Sequence, residues 1–219
     1  MAATYTVLST SGDEPLDLEE DVKPWLHIDG NTDDAVLSSL ITRVRAYAER
    51  VTRRALILQT IEANIPLKQA PVGILSGPVD YPAEPFPISE RAGSLGGMTQ
   101  FYLKMPMSPL QTLVTVAYQL TPFDVPEWNV IDAVDPNGND NYRIDNVIAP
   151  SRVYFAGLLA ANRFQITYTA GYTAAMPLPP DLAAVLLEMI TYRYYNREVS
   201  TLPTVLTEEL MLFRIPLLG

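Results

Sequence analysis

Between Asn31 and Ala55 apolar residues recur at the spacing of an α-helix, and no other stretch of the chain leaves its conformation so little freedom. Val36, Leu40, Val44, Tyr47 and Val51 fall on one face, and Leu37, Ile41, Ala48 and Ala55 widen it. Asn31 or Thr32 supplies an N-cap, and Asp33 and Asp34 put negative charge beside the positive helix end. About 22 residues rising about 1.5 Å each make a rod of roughly 33 Å, so the core has to be laid out along it. The last turns hold Arg43, Arg45, Arg50, Arg53 and Arg54, five of the chain's 15 basic residues. They read either as a solvated face that complements the negative helix end or as a patch that pairs with acidic groups on a neighbouring copy.

On either side of this rod the periodicity changes. Leu16 to Ile28 has near-helical spacing through Leu18, Val22, Trp25 and Leu26, but Pro24 deletes a backbone hydrogen bond inside it, so a kinked or split helix is expected. Ala55 to Ile65 alternates, which is the signature of a strand. From Pro66 to Gly97 there are six prolines and five glycines with no period, too long an irregular stretch for an ordinary connection. Phe101 to Met105 and Leu110 to Leu120 read as two strands around a Pro-rich turn, with further β pieces at Tyr142 to Ile144, Val153 to Phe155 and Arg163 to Thr169. Pro179 and Pro180 precede a second long helix, Asp181 to Glu198, with Leu182, Val185, Leu186, Met189 and Ile190 as its inner stripe. Tyr192, Tyr194 and Tyr195 near its end are either interface anchors or core residues with exposed hydroxyls. The terminus is apolar where free termini are usually polar: Leu210, Met211, Leu212, Phe213, Ile215, Leu217 and Leu218 imply a segment that docks.

The expected fold is α+β, a helical bundle of two long helices and shorter ones with an inserted small antiparallel sheet. Residues 1–203 form one domain carrying the Pro/Gly-rich arm at 66–100, and residues 204–219 are the docking tail.

The side-chain inventory narrows the chemistry. There is no cysteine and a single histidine, His27, which excludes thiolate and histidine-cluster metal sites and Ser-His or Cys-His catalytic pairs. Asp135, Asn137, Asn139 and Asp140 superficially follow a calcium loop, but Gly138 is misplaced and Asn146 stands where a glutamate is required, so an Asn137-Gly138 turn fits better. The paired carboxylates Glu19 with Glu20, Asp33 with Asp34 and Glu208 with Glu209 all lie at helix starts, where acidic groups stabilise without catalytic duty. No catalytic, cofactor or metal residue is assigned, and a carboxylate hydrolase is the weakest alternative, behind a binding module of another cytosolic complex. A net charge of −10 repels a phosphate backbone and argues against tight DNA binding. No segment approaches the apolar length of a membrane helix and no signal-like start is present, so membrane association is not expected.

The order of motifs resembles the head-tail connector, or adaptor, family of tailed double-stranded DNA bacteriophages and gene transfer agents. Leu18-Glu19-Glu20-Asp21-Val22-Lys23, Leu26-His27-Ile28-Asp29 and Asp33-Asp34-Ala35-Val36-Leu37 look like its first helix and acidic turn. Ala48-Glu49-Arg50-Val51-Thr52-Arg53-Arg54-Ala55-Leu56 is similar to its long helix and Thr-x-Arg-x-Leu exit. Pro109-Leu110-Gln111-Thr112-Leu113-Val114, Tyr168-Thr169-Ala170-Gly171-Tyr172 and Tyr195-Asn196-Arg197-Glu198 follow in order, and the resemblance covers about two-thirds of the chain. It implies a non-enzymatic virion protein, assembled in the host cytoplasm, whose identical copies form a ring, dodecameric by expectation. The ring would bind the portal protein on one side and a stopper or tail-completion protein on the other, while double-stranded DNA passes through without specific binding. In that setting the arginine and tyrosine groups are the subunit-interface candidates, and the apolar residues of the tail are the portal-docking candidates.

Overall fold

A computed structural model of the chain describes residues 4–10, 13–66, 101–119, 128–134, 136–147, 149–155, 161, 163–198 and 201–215. The expected arm at 66–100 lies almost wholly outside these residues. The described residues of 1–9 and 60–169 gather into one compact unit, and those of 10–59 and 170–215 into another.

The second unit is helical. A π-helical turn at Leu18–Val22 runs directly into α1 (Lys23–Leu26), and Pro24 occupies the first turn of α1, where no intrahelical N–H is needed. Pro24 thus divides the segment as its chemistry requires. Asp17 starts the turn by accepting the N–H groups of Glu19 and Glu20, and His27, in the left-handed conformation at φ 54°, ends it. α2 spans Asp34–Thr52, 19 residues or about 28 Å. Its buried stripe is Leu37, Ile41, Val44, Ala48 and Thr52, whereas Val36 is exposed and Leu40, Tyr47 and Val51 are only partly buried. The burial centre is therefore turned about one residue from the face expected above. α3 (Pro180–Tyr195) buries Leu182, Val185, Leu186, Met189 and Ile190 as its periodicity requires. α4 (Thr204–Leu212) closes the unit, with Leu206 and Leu210 in the same core as α2 and α3.

The first unit holds more β structure than the one small sheet expected. A five-stranded sheet runs in the order β1 (Thr4–Thr10), β2 (Gln59–Pro66), β8 (Arg163–Ala170), β4 (Leu110–Gln119), β5 (Asn129–Val130). A three-stranded sheet runs β3 (Phe101–Lys104), β7 (Arg152–Phe155), β6 (Tyr142–Asp145), antiparallel throughout. The expected strand around 55–65 begins only at Gln59, and from there odd residues are buried and even ones half-buried.

The two strands read around the Pro-rich turn are present as β3 and β4, but they lie in different sheets. The reason is burial of the connection itself. Met105, Met107 and Ser108 are enclosed, and Ser151 fastens the corner: its carbonyl accepts Met105 N–H at 2.9 Å, its Oγ accepts Leu110 N–H at 3.0 Å, and its own N–H donates to Ser108 Oγ at 2.8 Å. A loop so held passes from one sheet to the other instead of folding back. Phe155 of the small sheet meets Phe164 of the large one with ring centroids 5.3 Å apart, an aromatic contact in the core between them. The Asn137-Gly138 turn is present, with Gly138 at φ 85° and Val134 bridged to Asp140.

Candidate assembly surface

The motif that ends α2 proves to be a polar lock. Glu49 Oε1 accepts the N–H of Leu56 at 2.9 Å and the side-chain amide of Gln59 at 2.8 Å, while its Oε2 takes Arg45 Nη1 at 3.0 Å. Thr52 Oγ1 donates to the Ala48 carbonyl at 2.7 Å and accepts Arg54 N–H at 3.3 Å. Arg53 sits at φ 59°, a left-handed C-cap whose N–H bonds the Glu49 carbonyl. Arg54 Nε donates to the Phe213 carbonyl at 2.7 Å and its Nη1 to Tyr172 Oη at 3.1 Å, and Ile215 N–H reaches the Thr52 carbonyl at 2.9 Å. Thr52, Arg54 and Leu56 therefore act together to stop the helix, turn the chain and hold the segment after α4.

This divides the five arginines of the α2 cluster. Arg45 is consumed inside the unit, with Nε 2.7 Å from Glu14 and Nη1 on Glu49, and Arg54 is consumed by the lock. Arg53 is half-buried at the cap. Arg43 and Arg50 are exposed, Arg50 lying 5.5 Å from the Tyr47 ring centroid. Two of the five thus remain on the surface with their charge available to a neighbour.

The acidic motif before α2 is organised around a buried cation. Lys23 is 5% exposed and its Nζ lies 2.5 Å from Glu19, 2.8 Å from Asp34 and 3.2 Å from Asn31 Oδ1. The hydrogen bond to Asp34, followed by that to Glu19, raises the ammonium pKa above its ordinary value, so the ion pair persists through the neutral range. It clamps the loop of residues 27–33 between α1 and α2.

The tyrosines form a second cluster at the end of α3. Tyr194 Oη donates to Asp33 at 2.7 Å, a bond that raises its pKa, and the Arg197 guanidinium lies 5.0 Å over the Tyr194 ring. Tyr195 meets Tyr194 edge-on at 5.2 Å and is 67% exposed, while Tyr192 is half-buried against the core. Trp25, read from the sequence only as part of a near-helical spacing, belongs beside them: it is 47% exposed, with Nε1 on Thr191 Oγ1 at 3.0 Å, one turn before Tyr195. The bias of Trp, Tyr and Arg toward interface hot spots is the signal that finds this group.

The apolar tail is split between core and surface. Leu210 and Ile215 are buried and Phe213 is partly buried, whereas Met211 is 44% and Leu212 83% exposed. Leu217 and Leu218 lie outside the described residues. Among the described residues no group of three or more His, Asp or Glu side chains is arranged to hold a metal ion, and no helix is long and apolar enough to cross a membrane.

Residues 17–80 match the family described as phage gp6-like head-tail connector proteins. No curated protein matches the chain. Among solved structures, the fold is shared with a chain from the neck of an empty gene transfer agent particle computed with C6 symmetry, at TM-score 0.58 and 16% identity over 97% of this chain and 96% of that one. It is shared likewise with a chain from the virion of a native gene transfer agent particle, at TM-score 0.56 and 17% identity over 97% and 95%. The family match at residues 17–80 takes in the buried lysine and the helix exit, and the fold is shared over nearly the whole length of the chain.

Proposed function

We propose that this chain is a structural neck adaptor, whose identical copies form a ring between portal and stopper or tail-completion protein. The observation that carries the reading is the coincidence of the family match at 17–80 with the Lys23 clamp and the Glu49-Thr52-Arg54 lock, which give those motif residues a concrete structural duty. Around that rigid frame the exposed groups Arg43, Arg50, Trp25 and Tyr195 are the contacts between copies. Among the described residues of the tail, Met211 and Leu212 are the part left for the portal. The net charge of −10 suits a channel wall past which a polyanion slides without sticking. A dodecamer is the expected copy number, and the role is scaffolding and not catalysis.

Because Leu206 and Leu210 belong to the core, deleting the whole tail would unfold the helical unit and prove nothing. The informative variant is Met211→Glu/Leu212→Glu, which changes exposed positions only. It is expected to keep its melting transition and to lose co-purification with portal. Undiminished portal binding would remove the docking role.

A further inference from the structure

The edge of a sheet is an open hydrogen-bonding template, and natural sheets guard it with charged side chains, proline or bulges. Two strands of the five-stranded sheet have no such guard: β1 and β4 contain no charged residue, no proline and no glycine. Every other described strand of four or more residues carries a charge, at Glu62, Lys104, Arg143, Arg152 or Arg163.

β1 is the terminal strand of its sheet, with β2 on one side. All seven of its residues are exposed, Tyr5 at 46%, Val7 at 40% and Leu8 at 56%. Side chains alternate between the faces of a strand, so Tyr5 and Val7 share one face and Leu8 lies on the other, and neither face is packed. Such a strand gains little from burial inside its own subunit. Its apolar side chains and its open edge are satisfied together when another strand is laid beside it.

The complement lies toward the opposite end of the same sheet. β5, two residues long, meets β4 at Ala117 and Tyr118, and Ile131 N–H adds a bond to the Val116 carbonyl at 2.8 Å. Among the described residues no strand flanks residues 112–115 on that side. Thr112, Val114 and Thr115 are exposed, Val114 at 59%, and Leu113 is half-buried, so this stretch too is open on both faces. Two uncharged edges at opposite ends of one sheet are unlike surfaces. Joined between identical copies, they make the head-to-tail contact from which a cyclic ring is built.

We propose that β1 of one copy lays its open edge along residues 112–115 of β4 in the next copy, so that the five-stranded sheet continues from subunit to subunit. The proposal rests on the ring reading above, and its test separates the two. The chain has no cysteine, so introduced thiols report without background. Leu8→Cys is combined in turn with Thr112→Cys, Leu113→Cys, Val114→Cys and Thr115→Cys, and particles assembled with each full-length variant are oxidised and run on a non-reducing gel. Within one copy β1 and β4 stand three strand spacings apart, about 14 Å, beyond the roughly 7 Å between Cα atoms that a disulfide can span. Any bond therefore joins two copies. The expected result is a ladder of multimers from alternate positions, 112 with 114 or 113 with 115, because alternate side chains share a face. Leu8→Lys, which puts a charge on the open strand at an exposed position, is expected to keep the wild-type far-UV circular dichroism and to lose incorporation into particles.

Incorporated variants that yield no disulfide at any of the four positions would overturn this contact and leave the ring standing. Leu8→Lys incorporated as fully as wild type would do the same. A dimer formed by Leu8→Cys alone would pair β1 with β1 about a two-fold axis, and would also overturn it. Wild-type chain absent from particles would sink the ring reading itself, and this contact with it.

Discussion

Arg54 Nε donates to the carbonyl of Phe213 at 2.7 Å, joining the end of the longest helix to the segment that follows the last one, 159 residues away in sequence. A guanidinium is needed because a second donor, Nη1, holds Tyr172 Oη at the same time. Arg54→Ala is expected to destabilise the chain by about 2 kcal/mol, with Arg54→Lys recovering less than half of that. Urea unfolding, read as a shift in midpoint at unchanged slope, measures it.

Glu49 should matter more, because its carboxylate serves Leu56 N–H, the Gln59 amide and Arg45 together, with only 14% of its side chain exposed. Glu49→Ala strands all three donors and is expected to cost roughly 2–4 kcal/mol. Glu49→Gln keeps an acceptor for Leu56 and should cost about half as much by the same measurement.

Gly171 lies at φ 138°, and a Cβ there would stand 2.2 Å from the Ile57 carbonyl oxygen. Neither the backbone conformation nor the space admits a side chain. Gly171→Ala is expected to lower stability by about 3 kcal/mol or more, visible as a fall in Tm by calorimetry.

The division of the apolar tail gives a paired prediction. Leu210→Ala, at a position with no exposure, should cost about 2–5 kcal/mol. Leu212→Ala, at a position 83% exposed, should stay within about 0.5 kcal/mol. Equal costs at the two sites would show the described packing of α4 to be wrong.

Tyr168 is enclosed in the first unit, and burial pushes its phenol well above the ordinary value of 10.0, against a smaller opposing effect of its backbone bond to Met107. The folded state therefore keeps a proton that the unfolded chain releases. Its contribution to stability is full below pH 10 and is lost as pH rises through the folded value. Tyr168→Phe should flatten the alkaline limb of a stability-against-pH curve while leaving the slope below pH 9 unchanged, a range set at about one unit beneath the unfolded pKa.

Helix periodicity made much of the helical unit legible: the inner stripe of α3 and the break at Pro24 both follow from spacing and proline geometry. α2 was legible as an element, but its buried face was not, since apolar residues cover so wide an arc that only the packing of α3 and α4 decides which row turns inward. β1 left no pattern to read because all seven of its residues are exposed and none is charged, so burial never imposes alternation. The separation of β3 from β4 depends on Ser108 and Ser151, 43 residues apart, and no local signal carries such a bond. The arginine cluster was visible as charge, but whether an arginine faces solvent or a carboxylate depended on Glu14 and Glu49, one of them 31 residues away.

The most direct test of the adaptor reading is imaging of the particle neck by electron microscopy at side-chain resolution, in virions assembled with this chain. The expected result is a closed ring of identical copies between portal and tail, with the α2 and α3 helices built into density and the DNA path through its centre. A neck in which no density fits the chain, in particles that nonetheless package and eject DNA, would contradict it.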